Sequence, residues 1–494
     1  MRSLDDELLT PLELTGLLDG MWRRSPDPAD WAPSRVFQRA TKRKNPAYQG
    51  DDINIVSTFE ALELAQKHLA DVGRPGGAIV LPRRLISSPL VRQLADRIPV
   101  LEVPDGVDVL EVLAVAGRQR LKGSLILVTG TAGKTTTRRM AAAALEPFGS
   151  VCQNRQNWNF TRHIFEDLAS IRRPTTNAVL ELGLGEPGVS LDQASAVARP
   201  DVVVLTNVGM AHHDVVSQLE LGKSDPLDRV LEAKLAAFDP LDATGLGVIS
   251  SSVVLKPWAL HRLGGRRWLS YGERGSDPYR LLSHVQGREL ARTRYATPSG
   301  EVDLDLQVAG RHMALNGLAV LAAIDHLNLD RAAALSQLSH FSSRGHRLRI
   351  TPIHASFGTF LIIDDHFNAN AISLDAGLQT LRELADAWGG KAIAVLGDLV
   401  DHSVWGSPER FYSDLATRIV AHDIDVVATF GPKIETIHRA LPPSVQSSHH
   451  PSRKRLRRWL LNRVGTGDVL LLKASKDMQF ARLSSLLRQE AAER

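Results

Sequence analysis

The sequence contains very little cysteine, few aromatic residues and no long apolar run. Its 494 residues include a single cysteine, Cys152, which excludes an internal disulfide and a multi-cysteine zinc site and favours a reducing compartment. No stretch approaches the roughly 18 apolar residues of a membrane span, and residues 1–10 lack the apolar core of a secretion signal. We therefore expect a cytoplasmic protein that neither leaves the cell nor inserts into a membrane.

Charge of one sign is also scarce, because 59 basic residues against 55 acidic ones leave a formal net charge of only +4. The strongest local excess is the basic run at residues 453–458, which we interpret as a solvent-exposed helix face. A nucleic-acid surface usually combines such charge with exposed aromatic residues or a recognisable module, and neither accompanies this run. We therefore expect no nucleic-acid partner.

Short apolar strands alternate with helical segments through the middle of the chain. Residues 124–130 have a strand pattern and residues 134–145 a helical one, with a glycine-containing loop between them. Strand patterns recur at residues 177–183 and 201–208, which predicts a parallel sheet covered by helices. Residues 292–310 alternate apolar and polar side chains around a Pro-Ser-Gly turn, which predicts a β-hairpin peripheral to that sheet.

A second series of strands and helices follows residue 345, and a shorter α/β mixture precedes residue 122. At this length we expect about three domains. The predicted boundaries are a small N-terminal α/β domain at residues 1–122, a central domain at residues 123–342 and a C-terminal, doubly wound α/β domain at residues 343–494. In the last of these the predicted strands are residues 360–364, 392–397, 426–431 and 468–473, and the predicted helices are residues 371–388, 408–421 and 478–490.

The strongest local signal is the loop that consists of Gly130, Thr131, Ala132, Gly133, Lys134, Thr135 and Thr136. Backbone N–H groups of a glycine-rich loop at a helix N-terminus bind phosphate oxygens, Lys134 adds a positive charge, and the Thr135 hydroxyl can bind Mg²⁺. The common pattern has a glycine where this chain has Val128, so the loop is a compressed form of that pattern. A glycine-rich turn that binds nothing is the alternative interpretation.

Further motifs follow this loop in the order in which they occur in one family. Glu181 at a strand end resembles the family's glutamate, residues 206–212 resemble its Asn-x-Gly-x-x-His segment, and residues 310–316 resemble Gly-x-His-Asn-x-x-Asn with Met313 in place of the first Asn. Residues 363–370 are very similar to the Asp-Asp-x-Tyr-Asn-Ala-Asn segment of the branch that adds D-alanyl-D-alanine to a muramoyl tripeptide. The chain is thereby identified as a member of the Mur ligase family, which also resembles the folylpolyglutamate synthases.

The resemblance implies an ATP-dependent, ADP-forming ligase that activates an acid as an acyl phosphate and couples it to an amine. It implies three domains: an N-terminal domain for the acid substrate, a central P-loop ATPase domain and a C-terminal Rossmann-like domain that closes over the nucleotide and the amine. The expected cofactors are ATP and Mg²⁺. The expected partners are small-molecule or peptide acid and amine substrates, and we expect a monomer or a homodimer.

The resemblance also implies roles for particular side chains. Thr135 and Glu181 are expected to hold the nucleotide Mg²⁺, and His212 is expected to help hold a second one near the acyl phosphate. Many members carry a carbamylated lysine that bridges the second metal, and Lys234 is the candidate here, although its interval from His212 is longer than usual. Lys134, His212 and Lys234 are the expected catalytic residues, and simple exposure is the alternative for Lys234.

The remaining expected contacts concern the nucleotide and the two substrates. Asn157 and Asn159 resemble the pair that lines the acid site, with ordinary turn residues as the alternative. The residues expected to face the nucleotide are Asn316, Arg347, Asp364 and Asn368, and those expected to line the amine site are Lys473 and Ser475.

The first 122 residues depart from the family pattern. Members that use UDP-muramoyl substrates carry an Asp-Ser-Arg element and a Leu-Phe-Val-Ala run, whereas this chain has Pro33, Ser34 and Arg35 and later residues 50–56. The sequence alone therefore leads us to favour an acid and amine of specialised metabolism, with the muramoyl tripeptide and D-alanyl-D-alanine as the alternative. Folylpolyglutamate synthesis and a non-catalytic nucleotide-binding regulator are weaker alternatives.

Overall fold

The fold is described from a computed structural model. It covers residues 8–38, 51–69, 76–155, 158–185, 190–210, 216–219, 221, 223–343, 347–366, 369–399 and 408–492. The backbone forms two compact units, one of residues 1–128, 145–203 and 236–245 and the other of residues 129–144, 204–235 and 246–494. No helix in the described segments is long and apolar enough to cross a membrane.

The N-terminal elements build a five-stranded sheet. They are, in order, α1 (Pro11–Leu18), β1 (Met21–Arg24), β2 (Arg35–Gln38), β3 (Asp52–Ile55), α2 (Phe59–Leu69), β4 (Ala78–Pro82), α3 (Pro89–Ala95), β5 (Val100–Val103) and α4 (Val109–Arg120). The strand order is β1-β5-β4-β3-β2, with β1 antiparallel to β5 and the other pairs parallel. Apolar side chains of α2 and α3, among them Leu62 and Leu94, pack with Ile79 and Leu81 of β4 in one core.

The middle elements build a nine-stranded sheet. They are β6 (Leu125–Thr129), α5 (Lys134–Leu145), β7 (Val151–Gln153), α6 (Thr161–Ala169), β8 (Asn177–Glu181), α7 (Leu191–Ala198), β9 (Val202–Leu205), α8 (Pro226–Leu235), β10 (Leu246–Ser250), α9 (Pro257–Leu263), β11 (Trp268–Gly272), β12 (Tyr279–Gln286), β13 (Ala291–Thr297), β14 (Gly300–Leu306), α10 (Arg311–His326) and α11 (Arg331–Ser339). The strand order is β14-β13-β12-β11-β10-β9-β6-β8-β7. Every residue of β6 and β8 is buried, as expected of parallel strands that are covered on both faces.

The C-terminal elements build a six-stranded sheet. They are β15 (Arg349–Ala355), β16 (Gly358–Asp364), α12 (Ala371–Trp388), β17 (Ala392–Gly397), α13 (Pro408–Ala421), β18 (Val426–Phe430), α14 (Glu435–Ala440), β19 (Gln446–His450), α15 (Arg453–Leu461), β20 (Val469–Lys473) and α16 (Phe480–Ala492). The order is β15-β16-β20-β17-β18-β19, and only β15 runs antiparallel to its neighbour. Helices α12 and α13 contribute Leu381 and Phe411 to one core, and α15 and α16 contribute Leu460 and Leu483 to another, so the sheet is doubly wound.

The α/β fold class that the sequence predicted is confirmed, and the described residues form three sheets. Each sheet falls inside one of the three predicted domains, whose boundaries stay a prediction. The predicted hairpin is also present, as β13 and β14, but both strands belong to the nine-stranded sheet and form its edge. The last predicted helix begins later than expected, because residues 476–478 form a short 3₁₀ turn before α16.

Candidate functional site

The loop between β6 and α5 requires glycine at two positions. Gly130 has φ +146° and Gly133 has φ +82°, and residues other than glycine rarely adopt these backbone angles. A Cβ atom on Gly130 would lie 2.0 Å from Thr206 Oγ1, and one on Gly133 would lie 3.2 Å from Asn316 Oδ1. Neighbouring side chains therefore approach the loop backbone too closely for any larger residue at position 130, and Asn316 lies beside the loop.

The segment that follows β9 holds the loop in place. Thr206 Oγ1 donates to the Ala132 carbonyl at 2.6 Å, and the Asn207 side chain both donates to that carbonyl at 3.0 Å and accepts from Ala132 N–H at 2.8 Å. The Thr131 hydroxyl accepts from Gly209 N–H at 3.0 Å. The Asn-x-Gly motif thus fixes the loop conformation, a role for Thr206 and Asn207 that the sequence interpretation did not assign.

Two lysines converge on one carbonyl of this loop. Lys134 Nζ and Lys234 Nζ each donate to the Gly130 carbonyl at 2.9 Å. Lys234 is completely buried in α8. Burial, with a smaller contribution from the charge of Lys134, lowers the pKa of Lys234 well below its usual value. The simple exposure that was the alternative for Lys234 is therefore excluded.

The first turn of α5 also carries two threonines. Thr135 is 2% exposed, whereas Thr136 is half-buried. Because Thr135 opens the helix directly after Lys134, its hydroxyl is at the position where a phosphate loop supplies a metal ligand.

Glu181 ends β8 and is tied to two asparagines. It is 2% exposed, its Cα is paired with that of Val128 on β6, and its Oε1 accepts from Asn159 Nδ2 at 2.7 Å. Asn154, which follows β7, accepts from Glu181 N–H and donates to its carbonyl at 3.2 Å. Asn154 is a positioning residue that the sequence interpretation missed, although its place after a strand on the carboxyl edge of the sheet was a usable signal.

The carboxyl edge of the six-stranded sheet holds a buried set of ionic groups. Asp364 contacts Arg488, and His366 Nε2 lies 3.4 Å from Asp364 Oδ1. Although burial raises the pKa of Asp364, the neighbouring His366 and Ser484 side chains and the charge of Arg488 keep it below its usual value. Asp364 is therefore an ionised carboxylate with its own protein partners.

Lys473 is the last residue of β20, and Ser475 lies two positions after it. Lys473 is completely buried and forms an ion pair with Asp365, a residue that the sequence interpretation left without a role. Ser475 is 8% exposed, and its N–H donates to the Asp398 carbonyl at 3.0 Å. Arg347 is half-buried before β15, and its carbonyl accepts from the Ser343 hydroxyl. Asn157, His212 and Asn368 lie outside the described residues.

Metal-binding capacity can be judged only from the donors that the structure describes. Within those segments no group of three or more His, Cys, Asp or Glu side chains is arranged to hold a metal ion. Thr135 and Glu181 are the described members of the expected metal set that carry oxygen donors, the type that Mg²⁺ prefers.

Comparison with known proteins gives matches over most of the chain. Residues 128–324 match the Mur ligase middle domain, and residues 346–476 match the Mur ligase glutamate ligase domain. The UDP-N-acetylmuramoyl-tripeptide–D-alanyl-D-alanine ligase of Bacillus subtilis is 29% identical over 385 residues, which is 77% of this chain and 79% of that protein.

Solved structures show the same fold. A crystal structure of MurF from Acinetobacter baumannii superposes with a TM-score of 0.76 at 20% identity and covers 98% of this chain and 100% of that one. A MurF ligase from Thermotoga maritima in complex with ADP superposes with a TM-score of 0.69 at 20% identity, over 89% of this chain and 95% of that one. The phosphate loop, the order of the motifs that follow it and these matches all agree. The chain belongs to the Mur ligase family of ATP-dependent, ADP-forming ligases.

Proposed function

We propose that this protein joins D-alanyl-D-alanine to a UDP-linked muramoyl tripeptide, a step that builds the peptidoglycan precursor. The observation that carries the proposal is the complete phosphate loop, held by Thr206 and Asn207 and contacted by both Lys134 and the buried Lys234. Such a loop suits transfer of a phosphoryl group to a carboxylate, which brings two anions together and needs cationic groups beside them.

The choice of substrate rests on the relatives. The Bacillus subtilis relative is named as the muramoyl-tripeptide ligase, and it aligns with more than three quarters of this chain. The specialised acid and amine that the sequence alone favoured have no comparable support, so the cell-wall pair is now the preferred assignment.

The proposed chemistry has two steps. A carboxylate oxygen of the tripeptide attacks the γ-phosphorus of ATP, the bond to the β-phosphate oxygen breaks, and ADP leaves. The amino group of D-alanyl-D-alanine then attacks the acyl carbon, phosphate departs with the bonding electrons, and the amine loses a proton. We propose that Lys134 stabilises the negative charge of the transferring phosphoryl group, and its ammonium, which donates to loop carbonyls, supports this role.

Each expected metal ligand is proposed on its donor chemistry. Thr135 offers a hydroxyl and Glu181 a carboxylate whose orientation Asn159 fixes, and both fit Mg²⁺. When bound, Mg²⁺ would neutralise phosphate charge during transfer. We propose that Lys234 is carbamylated, because carbon dioxide reacts with a neutral amine and burial favours that form by lowering the pKa of Lys234 well below its usual value. His212 stays the proposed second-metal ligand.

Substrate roles are proposed for the remaining residues. Asn157 and Asn159 are proposed for the acid site, and Asn316, Arg347, Asp364 and Asn368 for the nucleotide. Lys473 and Ser475 are proposed for the amine side, where Lys473 would act from its buried pair with Asp365. Residues 1–122, 123–342 and 343–494 are the proposed domains.

The departures in the N-terminal sheet have a structural counterpart. The Nε and Nη2 atoms of Arg35 each donate to the Asp52 carboxylate at 2.6 Å. The Ser34 hydroxyl donates to the same carboxylate at 3.2 Å. This set joins β2 to β3, so Arg35 has a fold-stabilising partner whether or not a uridine group binds nearby.

The test is release of phosphate from ATP and Mg²⁺ by the full chain, with UDP-muramoyl tripeptide and D-alanyl-D-alanine supplied together and each omitted in turn. We expect release only when both are present, with the ligated product identified by mass spectrometry. Lys134→Ala is the control that should abolish release. Turnover with another acid and amine, but none with this pair, would overturn the substrate assignment and leave the ligase chemistry intact.

A further inference from the structure

Helix α12 carries the most distinctive motif of the C-terminal sheet at its N-terminus. The helix begins at Ala371, directly after the segment 364–370, and Asn370 caps it by accepting from Ser373 N–H at 2.9 Å. The cap therefore fixes Asn370, the last residue of the motif, to the first turn of α12.

The first turn of α12 contacts the segment that holds the phosphate loop. A Cβ atom on Gly209 would lie 2.0 Å from Ile372 Cδ1, and Gly209 N–H donates to Thr131 of the loop at 3.0 Å. Midway along the helix, a Cβ atom on Gly310 would lie 2.3 Å from Thr380 Oγ1. Both glycines therefore lie directly beneath α12, and the helix reaches the loop through a single intervening residue.

The last turns of α12 contact the hairpin of β12 and β13. Glu383 Oε2 lies 3.5 Å from His284 Nε2, and the His284 side chain is only 1% exposed. Arg288 Nε donates to the Ala387 carbonyl at 3.1 Å, and its guanidinium lies 5.6 Å from the centre of the Trp388 ring. Among the contacts of α12 described here, those with the hairpin are the ones that involve charged or titratable side chains.

In the His284 and Glu383 pair the imidazole is buried, whereas the Glu383 side chain is 24% exposed. Gln379 Nε2 donates to Glu383 Oε1 at 3.1 Å, which leaves Oε2 to face the imidazole. The charged or titratable groups that act on His312 of α10 are Asp365, Glu383, Lys473 and His284. When His284 is protonated the contact is an ion pair, and such a pair is sensitive to the loss of either partner.

We propose that His284 and Glu383 are positioning residues that hold α12 against the nine-stranded sheet, so that the first turn of the helix stays beside the phosphate loop during acyl transfer. The proposal rests on the ligase function proposed above. Neither residue touches a reacting atom; each acts through α12. A loss of the hairpin contact is expected to shift the first turn of α12 relative to the phosphate loop.

The decisive variants are Glu383→Gln, His284→Asn and the double variant, each made in the full chain. Glu383→Gln keeps the size of the side chain and the hydrogen bond with Gln379 but removes the charge. Val285→Ala is the matched control, because Val285 is the next residue of β12, is 63% exposed and points to the other face. We expect kcat to fall about tenfold in each single variant, while the KM for ATP stays within about twofold of the wild type.

Two outcomes would overturn the proposal. If the fold decrease in kcat of the double variant equals the product of the fold decreases of the two single variants, the residues do not act as a pair. If thermal unfolding shows that a smaller folded fraction at the assay temperature accounts for the whole fall in kcat, the contact only stabilises the fold.

Hydrogen exchange of residues 371–388 without substrates separates this proposal from the ligase function. We expect Glu383→Gln, but not Val285→Ala, to increase exchange there even if no acid and amine pair gives turnover. Unchanged exchange would refute the contact itself, whereas a wild-type chain that is inactive but shows the exchange difference would count against the ligase function alone.

Discussion

Replacing Lys234 by methionine should stabilise the protein and abolish its activity together. The side chain is completely buried, and its ammonium has one neutral acceptor, the Gly130 carbonyl at 2.9 Å. Methionine keeps a similar volume and loses this hydrogen bond, worth about 1 kcal/mol, but it removes the larger cost of keeping an amine out of water. Turnover should disappear, because the group proposed for the second metal is gone.

The pH dependence of the free energy of unfolding gives the size of the expected effect. The unfolded chain binds a proton at Lys234 at every pH below about 10.4, whereas burial lowers the pKa of the folded side chain well below that value. Between the two pKa values the unfolded state therefore binds more protons, and wild-type stability rises with pH by about 1.4 kcal/mol per unit. Lys234→Met lacks this dependence. Its stability advantage over the wild type therefore shrinks by about 1.4 kcal/mol from pH 8.5 to 9.5.

Urea unfolding of both proteins at the two pH values measures the difference. The buffers must be free of carbon dioxide and contain a chelator, so that the lysine is neither carbamylated nor bound to metal. Lys122→Met, which removes an exposed lysine, is the matched control and should show no change with pH. A stability difference between Lys234→Met and the wild type that does not depend on pH would refute the argument from burial.

Three further predictions concern single side chains. Gly130→Ala should weaken ADP binding at least about tenfold by calorimetry, because the new methyl group meets the Thr206 hydroxyl and the residue must keep φ +146°. Burial lowers the pKa of His312 to about 4, so the unfolded state binds the proton first and the wild type should lose about 3 kcal/mol relative to His312→Asn between pH 6.5 and 4. Burial raises the pKa of Glu166 to about 7, so the wild type should lose about 3 kcal/mol relative to Glu166→Gln as the pH rises from 4.5 to 7.

The two pH predictions have opposite signs and can be followed in one set of urea titrations. Parallel curves for the wild type and His312→Asn below pH 6.5, or for the wild type and Glu166→Gln up to pH 7, would contradict them. Unchanged ADP affinity in Gly130→Ala would mean that the loop can move away from Thr206.

The elements that the sequence predicted well are those with a dense apolar pattern. Helix α12 and strand β17 have the predicted bounds, because their buried side chains recur at helical spacing or form a continuous apolar run. Strand β19, with the sequence Gln-Ser-Ser-His-His, was not predicted, since it is polar and its state depends on pairing with β18 at the edge of the sheet.

The same division holds at the candidate site. The linear order of motifs was enough to identify the phosphate loop, the family and the reaction class, because a loop between a strand and a helix needs only neighbouring residues to bind phosphate. The partners of that loop are far away in the sequence: Thr206 and Asn207 follow a different strand, and Lys234 reaches Gly130 from another helix.

What the sequence by itself determined is the class of fold, the phosphate-binding element and the type of chemistry, since each is encoded by local periodicity or by contiguous residues. The tertiary structure alone decided that Lys234 is buried and has a lowered pKa, that Asp365 pairs with Lys473, and that α12 docks on the β12 and β13 hairpin. Burial and ion pairing depend on residues more than 90 positions apart, and a pattern read along one segment carries no information about such distant neighbours.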